Sequence, residues 1–300
     1  MWNIKLSLLL SSIFVCGVTI RIVSGIALQC DEKIDLCKIN CLTGNIDDDV
    51  KLECADLPKN NSLVHILQLD FKKLIGLQVQ HSDLTDLKHF AHTKLEHLQS
   101  LTFINSKFNL SVLCDITEST PYLTNLTIIQ ENIQELKAKY FEKCKVNLTT
   151  LLMNENKMNE IENDALEIFS EYLTNLKLRD NKFIQVPQAL QHLRKLQTLD
   201  LSNNKIKSVS NQDFLALNGL KSLQKLEMNE LDCKCGLEKE VFFQWVTNKK
   251  FPEVTCASPK RLQFKKLAHL TKKDLCDNAA QTNAMVSSVV VFFIIVMILN

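Results

Sequence analysis

Between Leu74 and Leu231 the pattern LxxLxLxx(N)xL recurs seven times at intervals of about 25 residues, and this period constrains the fold more than any other feature of the chain. The clearest copy is LQTLDLSNNKI, beginning at Leu196; LTNLKLRDNKF from Leu173 and LTTLLMNENKM from Leu148 keep the same frame. LTNLTIIQENI from Leu123, LQSLTFINSKF from Leu98 and LIGLQVQHSDL from Leu74 fit with weaker ninth positions, and LQKLEMNELDC from Leu223 closes the series. A repeat this short cannot bury its apolar side alone. It does so by stacking on its neighbours, which makes the middle of the chain a solenoid.

The fourth and sixth positions, as in Leu199 and Leu201, alternate with an outward residue, here Asp200. That is strand spacing, with both leucines on one face, and amphipathic helices fail on this doublet. Each copy therefore supplies one short parallel strand. The ninth-position asparagines Asn156, Asn181 and Asn204 carry amide donors and a carbonyl acceptor for backbone groups where the chain turns away, forming a ladder along the stack. The same position holds Ser82, Ser106 and Glu131 in earlier copies, so the expectation is an incomplete ladder and a less regular first half.

Residues 1–27 read as a secretory signal: Lys5 starts it, Leu6 to Ile20 is mostly apolar, and Val23, Gly25 and Ala27 are small enough for cleavage. Its removal takes Cys16 with it and leaves an even set of ten cysteines from eleven, the arithmetic of a paired extracellular protein. Cys30, Cys37, Cys41 and Cys54 precede the repeats, within a cap at 28–62; Cys233, Cys235, Cys256 and Cys276 follow them, within a cap at 232–277. The repeats occupy 63–231 between these lids, which a solenoid needs to cover its apolar ends.

The chain resembles the animal extracellular leucine-rich-repeat proteins with cysteine-rich caps. The likeness is strongest in CKCGLEKEVFFQWV, Cys256, Pro259 and Cys276, with Trp245 on a short helix. The resemblance implies an α/β fold: a leucine-rich-repeat solenoid, or horseshoe, with a parallel β-sheet on the concave face and disulfide-bonded caps. It also implies the pairs Cys233–Cys256 and Cys235–Cys276. The N-terminal cap departs from the family, with six residues between Cys30 and Cys37 and no CxC after them. Of three possible pairings, Cys30–Cys41 with Cys37–Cys54 is preferred. Cys114 and Cys144 lie on the side away from the strands in consecutive copies, where a bridge between coils fits; two buried thiols are the alternative, and without a CxxC pair zinc is disfavoured.

Met285 to Leu299 is apolar apart from Ser287 and Ser288, but about 15 residues is short for a spanning helix, which needs roughly 20. Small residues Asn278, Ala279 and Ala280 and a polar spacer precede it, so 278–300 reads as a glycosylphosphatidylinositol attachment signal with lipidation at Asn278; a short single-pass helix is the alternative. Sequons at Asn60, Asn109, Asn125 and Asn147 agree with secretion, and Asn125 stands beside a strand on the concave side.

No GxSxG, HExxH or phosphate-binding glycine loop is present, and there are six glycines in all, so the reading is a non-enzyme without cofactor. His89, His92 and His97 read as solvated or packed residues, not metal ligands. A net charge of +1 gives no pull toward nucleic acid. The platform is the outward face formed by the third, fifth, seventh and eighth positions of each copy. Ile104, Ile129 and Leu152 are expected as near neighbours on three adjacent strands, an apolar column rimmed by polar residues; with Thr127, Asn154 and Arg179 they form the candidate partner-binding set. The bland alternative is that exposed isoleucines reflect strand propensity.

Charge is segregated: acidic residues prevail in the N-terminal cap and lysines in the C-terminal one, where Lys265, Lys266, Lys272 and Lys273 offer a contact for glycosaminoglycan or anionic lipid. The resulting expectation is a cell-surface recognition module on the extracellular face of the plasma membrane, held by its lipid anchor. It would act as an adhesion molecule or non-signalling co-receptor for an extracellular protein ligand or receptor. A soluble secreted regulator, such as an immune-recognition factor or enzyme inhibitor, is the alternative.

Overall fold

The computed structural model describes residues 12–15, 18–21, 33–34, 36–41, 49–57, 63, 67, 73–85, 95–107, 109–142 and 144–276. Cys30, Asn60, His89, His92, Asn278 and the apolar tail lie outside them. Strands β1 (Ser12–Val15) and β2 (Val18–Arg21) pair antiparallel as a separate small sheet.

The main sheet has eleven strands. It opens with β3 (Lys33–Ile34), β4 (Cys37–Cys41) and β5 (Val50–Ala55), which pair antiparallel. From β5 onward every pairing is parallel and follows chain order: β6 (Leu74–Gln80), β7 (Ser100–Ile104), β8 (Asn125–Ile129), β10 (Thr150–Leu152), β12 (Asn175–Lys177), β13 (Thr198–Asp200), β14 (Lys225–Asp232) and β15 (Glu253–Ser258). On the opposite side β9 (Glu135–Leu136) and β11 (Glu160–Ile161) make a two-stranded parallel pair.

The repeat pattern maps onto this register. Leu77, Leu101, Leu126, Leu151, Leu176, Leu199 and Leu226, all at the fourth position, sit side by side across seven strands. Each is at most 2% exposed, as is each sixth-position residue from Val79 to Met228. Burying one Leu side chain contributes about 2 kcal/mol relative to exposure, so the core gains in proportion to the number of coils. The return segments are short: helices Leu113–Ser119 and Asn211–Gly219, with 3-10 turns Ala138–Tyr140, Glu167–Phe169 and Gln188–His192 between them. Phe141 and Phe169 meet edge to face at 5.1 Å behind the middle coils.

Asp213 shows how one coil locks the next. With Ser210 it forms a capping box at the helix Asn211–Gly219, and its Oδ1 accepts from Val186 N–H at 3.1 Å in the preceding coil.

The ladder expected to be incomplete runs unbroken through Ser82, Ser106 and Glu131. Leu57 N–H donates to Ser82 Oγ (3.0 Å), Ser82 N–H to Ser106 Oγ (3.3 Å), Ser106 N–H to Glu131 Oε1 (2.6 Å) and Glu131 N–H to Asn156 Oδ1 (2.8 Å). Asn156 N–H then donates to Asn181 Oδ1 (3.1 Å) and Phe183 N–H to Asn204 Oδ1 (3.2 Å). The backbone amide needs one acceptor, which a hydroxyl or carboxyl oxygen supplies as well as an amide oxygen does. The strands of the first half are the longer ones: β6 has seven residues and β7 and β8 five each, whereas β10, β12 and β13 have three, although the pairing of β5 with β6 carries a register shift after Val50.

Both ends are sealed covalently. Cys37 and Cys54 face each other across β4 and β5 and are bonded, and Cys41 is also in a disulfide. At the other end Cys233 joins Cys256 and Cys235 joins Cys276, while Cys114 and Cys144 bridge two consecutive coils. Trp245, on the helix Val241–Lys249, packs on Phe251 (5.0 Å) and on Phe214 of the last repeat (5.9 Å), fastening cap to solenoid.

Candidate functional site

The outward face of the sheet is set by the same register that builds the core. Side chains one place before and after each buried leucine point away from it. The fifth-position row runs Gln78, Thr102, Thr127, Leu152, Lys177, Asp200, Glu227 and Glu253, each beside the next. It passes from neutral to charged along the solenoid.

Ile104 and Ile129 pair directly across β7 and β8, but Leu152 does not continue their row. It stands opposite Thr127 and Lys177, at the fifth position where the isoleucines occupy the seventh, so the expected column is displaced by one pleat. Asn154 holds the seventh position of Leu152's repeat. The apolar contact is thus an isoleucine pair with Leu152 on the diagonal through Thr127, at about 7–8 Å in a pleated sheet. All three are half-buried by flanking side chains.

Arg179, the last of the candidate set, belongs to a polar rim. Its Nε contacts Asp180 at 2.8 Å and its backbone N–H donates to Asn154 Oδ1 at 3.1 Å; the adjacent Asp180 holds the guanidinium cationic. Asp180 Oδ1 also accepts from Asn203 Nδ2 (2.8 Å), and Asn203 exchanges bonds with Asn229 (2.6 and 2.7 Å). Lys225 and Glu227 pair at 2.7 Å. Asp200 is only 4% exposed and is tied down by Ser202, whose N–H donates to Oδ1 at 2.9 Å. The charged half of the face is therefore braced by its own bonds, while the isoleucine half is not.

The eighth residue of six of the seven copies, at the rim, has a left-handed backbone: φ is 52° at His81, 48° at Asn105, 61° at Gln130, 58° at Glu155, 56° at Asp180 and 54° at Asn203. Asn and Asp adopt this region with less strain than other non-glycine residues. Sequence reading placed these residues outward but missed the conformation, whose signal is the recurrence of Asn and Asp there.

Of the sequons, Asn125 is half-buried on this face between Ser100 and Thr150, Asn147 is exposed, and Asn109 is exposed while its Oδ1 caps a 3-10 turn by accepting from Ser111 N–H at 3.0 Å. His97 is exposed, and the described residues contain no group of three or more His, Cys, Asp or Glu arranged to hold a metal. Among them no helix is long and apolar enough to cross a membrane.

One ladder residue is electrostatically unlike the rest. Burial pushes the Glu131 carboxyl up to about 7, against the opposing effect of the Ser106 N–H it accepts.

Residues 171–231 match the family model described as leucine rich repeat. The crystal structure of human 5T4 (Wnt-activated inhibitory factor 1, trophoblast glycoprotein) superposes with a TM-score of 0.51 at 19% identity, over 83% of this chain and 99% of that one. The fold is a leucine-rich-repeat solenoid. Among curated proteins, the rat volume-regulated anion channel subunit LRRC8D is 28% identical over 170 residues, 49% of this chain. Human leucine-rich repeats and immunoglobulin-like domains protein 3 is 32% identical over 100 residues, 33% of this chain. The matches span only 18% and 9% of those relatives' lengths.

Proposed function

We propose that this leucine-rich-repeat protein is an extracellular recognition module that binds a protein partner through the outward face of its sheet, centred on Ile104, Thr127, Ile129 and Leu152 and bounded by Asn154 and Arg179. The observation that carries the reading is the pairing of Ile104 with Ile129 on an open sheet face whose charged half is internally braced. Two branched apolar side chains beside a threonine row are the centre-and-rim composition of protein interfaces. The disulfide-sealed ends and the secretory reading of 1–27 support an oxidising, extracellular setting. Tethering through a lipid at Asn278, with adhesion or co-reception as the role, completes the proposal.

The test is binding of the multimerised protein to cells with and without the full-length chain on their surface, beside an Ile104→Asp, Ile129→Asp, Leu152→Asp variant. Binding that requires the chain on the target cell and disappears in the variant supports homophilic adhesion through this face. Binding to untransfected cells, again lost in the variant, supports a separate receptor. A variant that is secreted normally and binds like the parent overturns the assignment of the face. Release of the cell-surface protein by a phosphatidylinositol-specific phospholipase checks the anchor independently.

A further inference from the structure

A second surface lies along the edge of the solenoid, past the ladder and away from the isoleucine pair. In three consecutive coils the residue after the ladder asparagine is a lysine: Lys157, Lys182 and Lys205. The backbone fixes this alignment, since Lys182 N–H donates to Met158 O (2.6 Å) and Lys205 N–H to Phe183 O (2.8 Å), each in the preceding coil. Successive lysines are therefore offset by about one strand spacing, ~4.8 Å. The row ends there: in the next coil its place is taken by Asp232, whose N–H donates to Lys207 O (2.8 Å), and Lys207 and Lys234 flank that position, lining a cleft of about 460 Å³ between the last repeat and the C-terminal cap.

All five are exposed, and none forms an ion pair among the described residues. The nearest carboxylates in sequence are already engaged. Glu155 accepts from Gln130 Nε2 at 2.7 Å, Asp180 is held by Arg179 and Asn203, and Asp232 accepts from Ser258 Oγ at 2.6 Å. A row of like charges at coil spacing repels itself, and a polyanion with a regular charge repeat relieves that repulsion along its whole length.

We infer that this edge is a docking track for a linear sulfated polysaccharide lying across the coils, one acidic group per lysine. A row of three lysines one residue wide suits a linear polyanion better than a lipid surface, which needs a broad basic plane. Ile184, 70% exposed beside Lys182, offers a surface for the C–H face of a sugar ring. The track does not overlap the isoleucine face, so the two can be occupied together.

The experiment measures binding of a heparin octasaccharide and a heparin disaccharide to the protein at about 150 mM NaCl. A Lys157→Ala, Lys182→Ala, Lys205→Ala variant is set against an equally charged cap control, Lys265→Ala, Lys266→Ala, Lys272→Ala. The expected result is octasaccharide binding by the parent, none of the disaccharide at the same concentration, and at least a tenfold loss in the edge variant. The slope of log Kd against log salt falls by about two in that variant, as phosphate-like contacts are lost one by one. The cap control keeps its affinity within threefold. No binding by the parent, equal loss in both variants, or equal binding of the disaccharide overturns the track. So does binding of phosphatidylserine vesicles without binding of the octasaccharide.

Discussion

Replacing Glu131 by Gln should stabilise this protein, although it removes a carboxylate from a hydrogen-bonded position. In the folded state the Glu131 carboxyl titrates at about 7, against 4.5 in the absence of the fold. The folded chain thus holds the proton more tightly, and its stability falls as pH rises from about 4.5 to about 7, then levels off. The full shift corresponds to about 3 kcal/mol. The side chain is only half-buried, so solvent screens part of it and about 1.5 kcal/mol is the magnitude to expect. Glutamine keeps the oxygen that accepts Ser106 N–H and gains an amide donor, as Asn156 has for Ile128 O at 2.7 Å. Urea denaturation of parent and Glu131→Gln at pH 5 and pH 8 reads the effect as a difference, which removes other titrating groups from the comparison. The variant should be more stable than the parent by about 0.7 kcal/mol at pH 5 and by about 1.5 kcal/mol at pH 8. Equal stability at pH 8, or a loss at both values, would refute the reasoning.

Leu126→Asp, on the core side of β8, should abolish secretion through a buried unpaired charge, whereas Ile129→Asp on the outward side should be secreted like the parent; immunoblots of medium and lysate decide it. Asp213→Ala removes the carboxylate that accepts from Ser210 N–H in the capping box and from Val186 N–H, and should cost about 2–3 kcal/mol in denaturant titration. Gln130→Asn, at a left-handed position, should raise stability by about 0.5 kcal/mol, read by the same titration. Removing the Cys114–Cys144 bridge, which closes a separation of 30 residues, by a double change to Ala should cost about 3 kcal/mol.

The core was legible because its signal is periodic: the leucines at the first, fourth and sixth positions repeat often enough to fix strand, face and stacking together. The C-terminal cap was legible for a different reason, since the spacing of Cys233, Cys235, Trp245, Cys256 and Cys276 carries a likeness of its own. What could not be read concerns roles that several residue types fill. The ninth position asks only for one acceptor, so Ser82, Ser106 and Glu131 hide in sequence among asparagines that do the same work. The left-handed eighth position is obscured because His81, Gln130 and Glu155 occupy it under strain. Leu152 is legible in the repeat frame as a fifth-position residue, two before Asn154, so it meets the isoleucine pair on the diagonal and not in one row. The lysine edge shows in sequence as isolated cations; only the inter-coil backbone bonds turn them into a line.

The ladder also gives the molecule a direction. Its rungs run from an amide in one coil to a side chain in the next, from Leu57 toward Asn204. Cutting the stack from its beginning uncovers oxygen acceptors, which water satisfies freely. Cutting it from its end removes the acceptor of the last ladder amide, which must then turn to water. Each of these coils is thus completed by its successor, so the ladder has a beginning and an end that are not interchangeable.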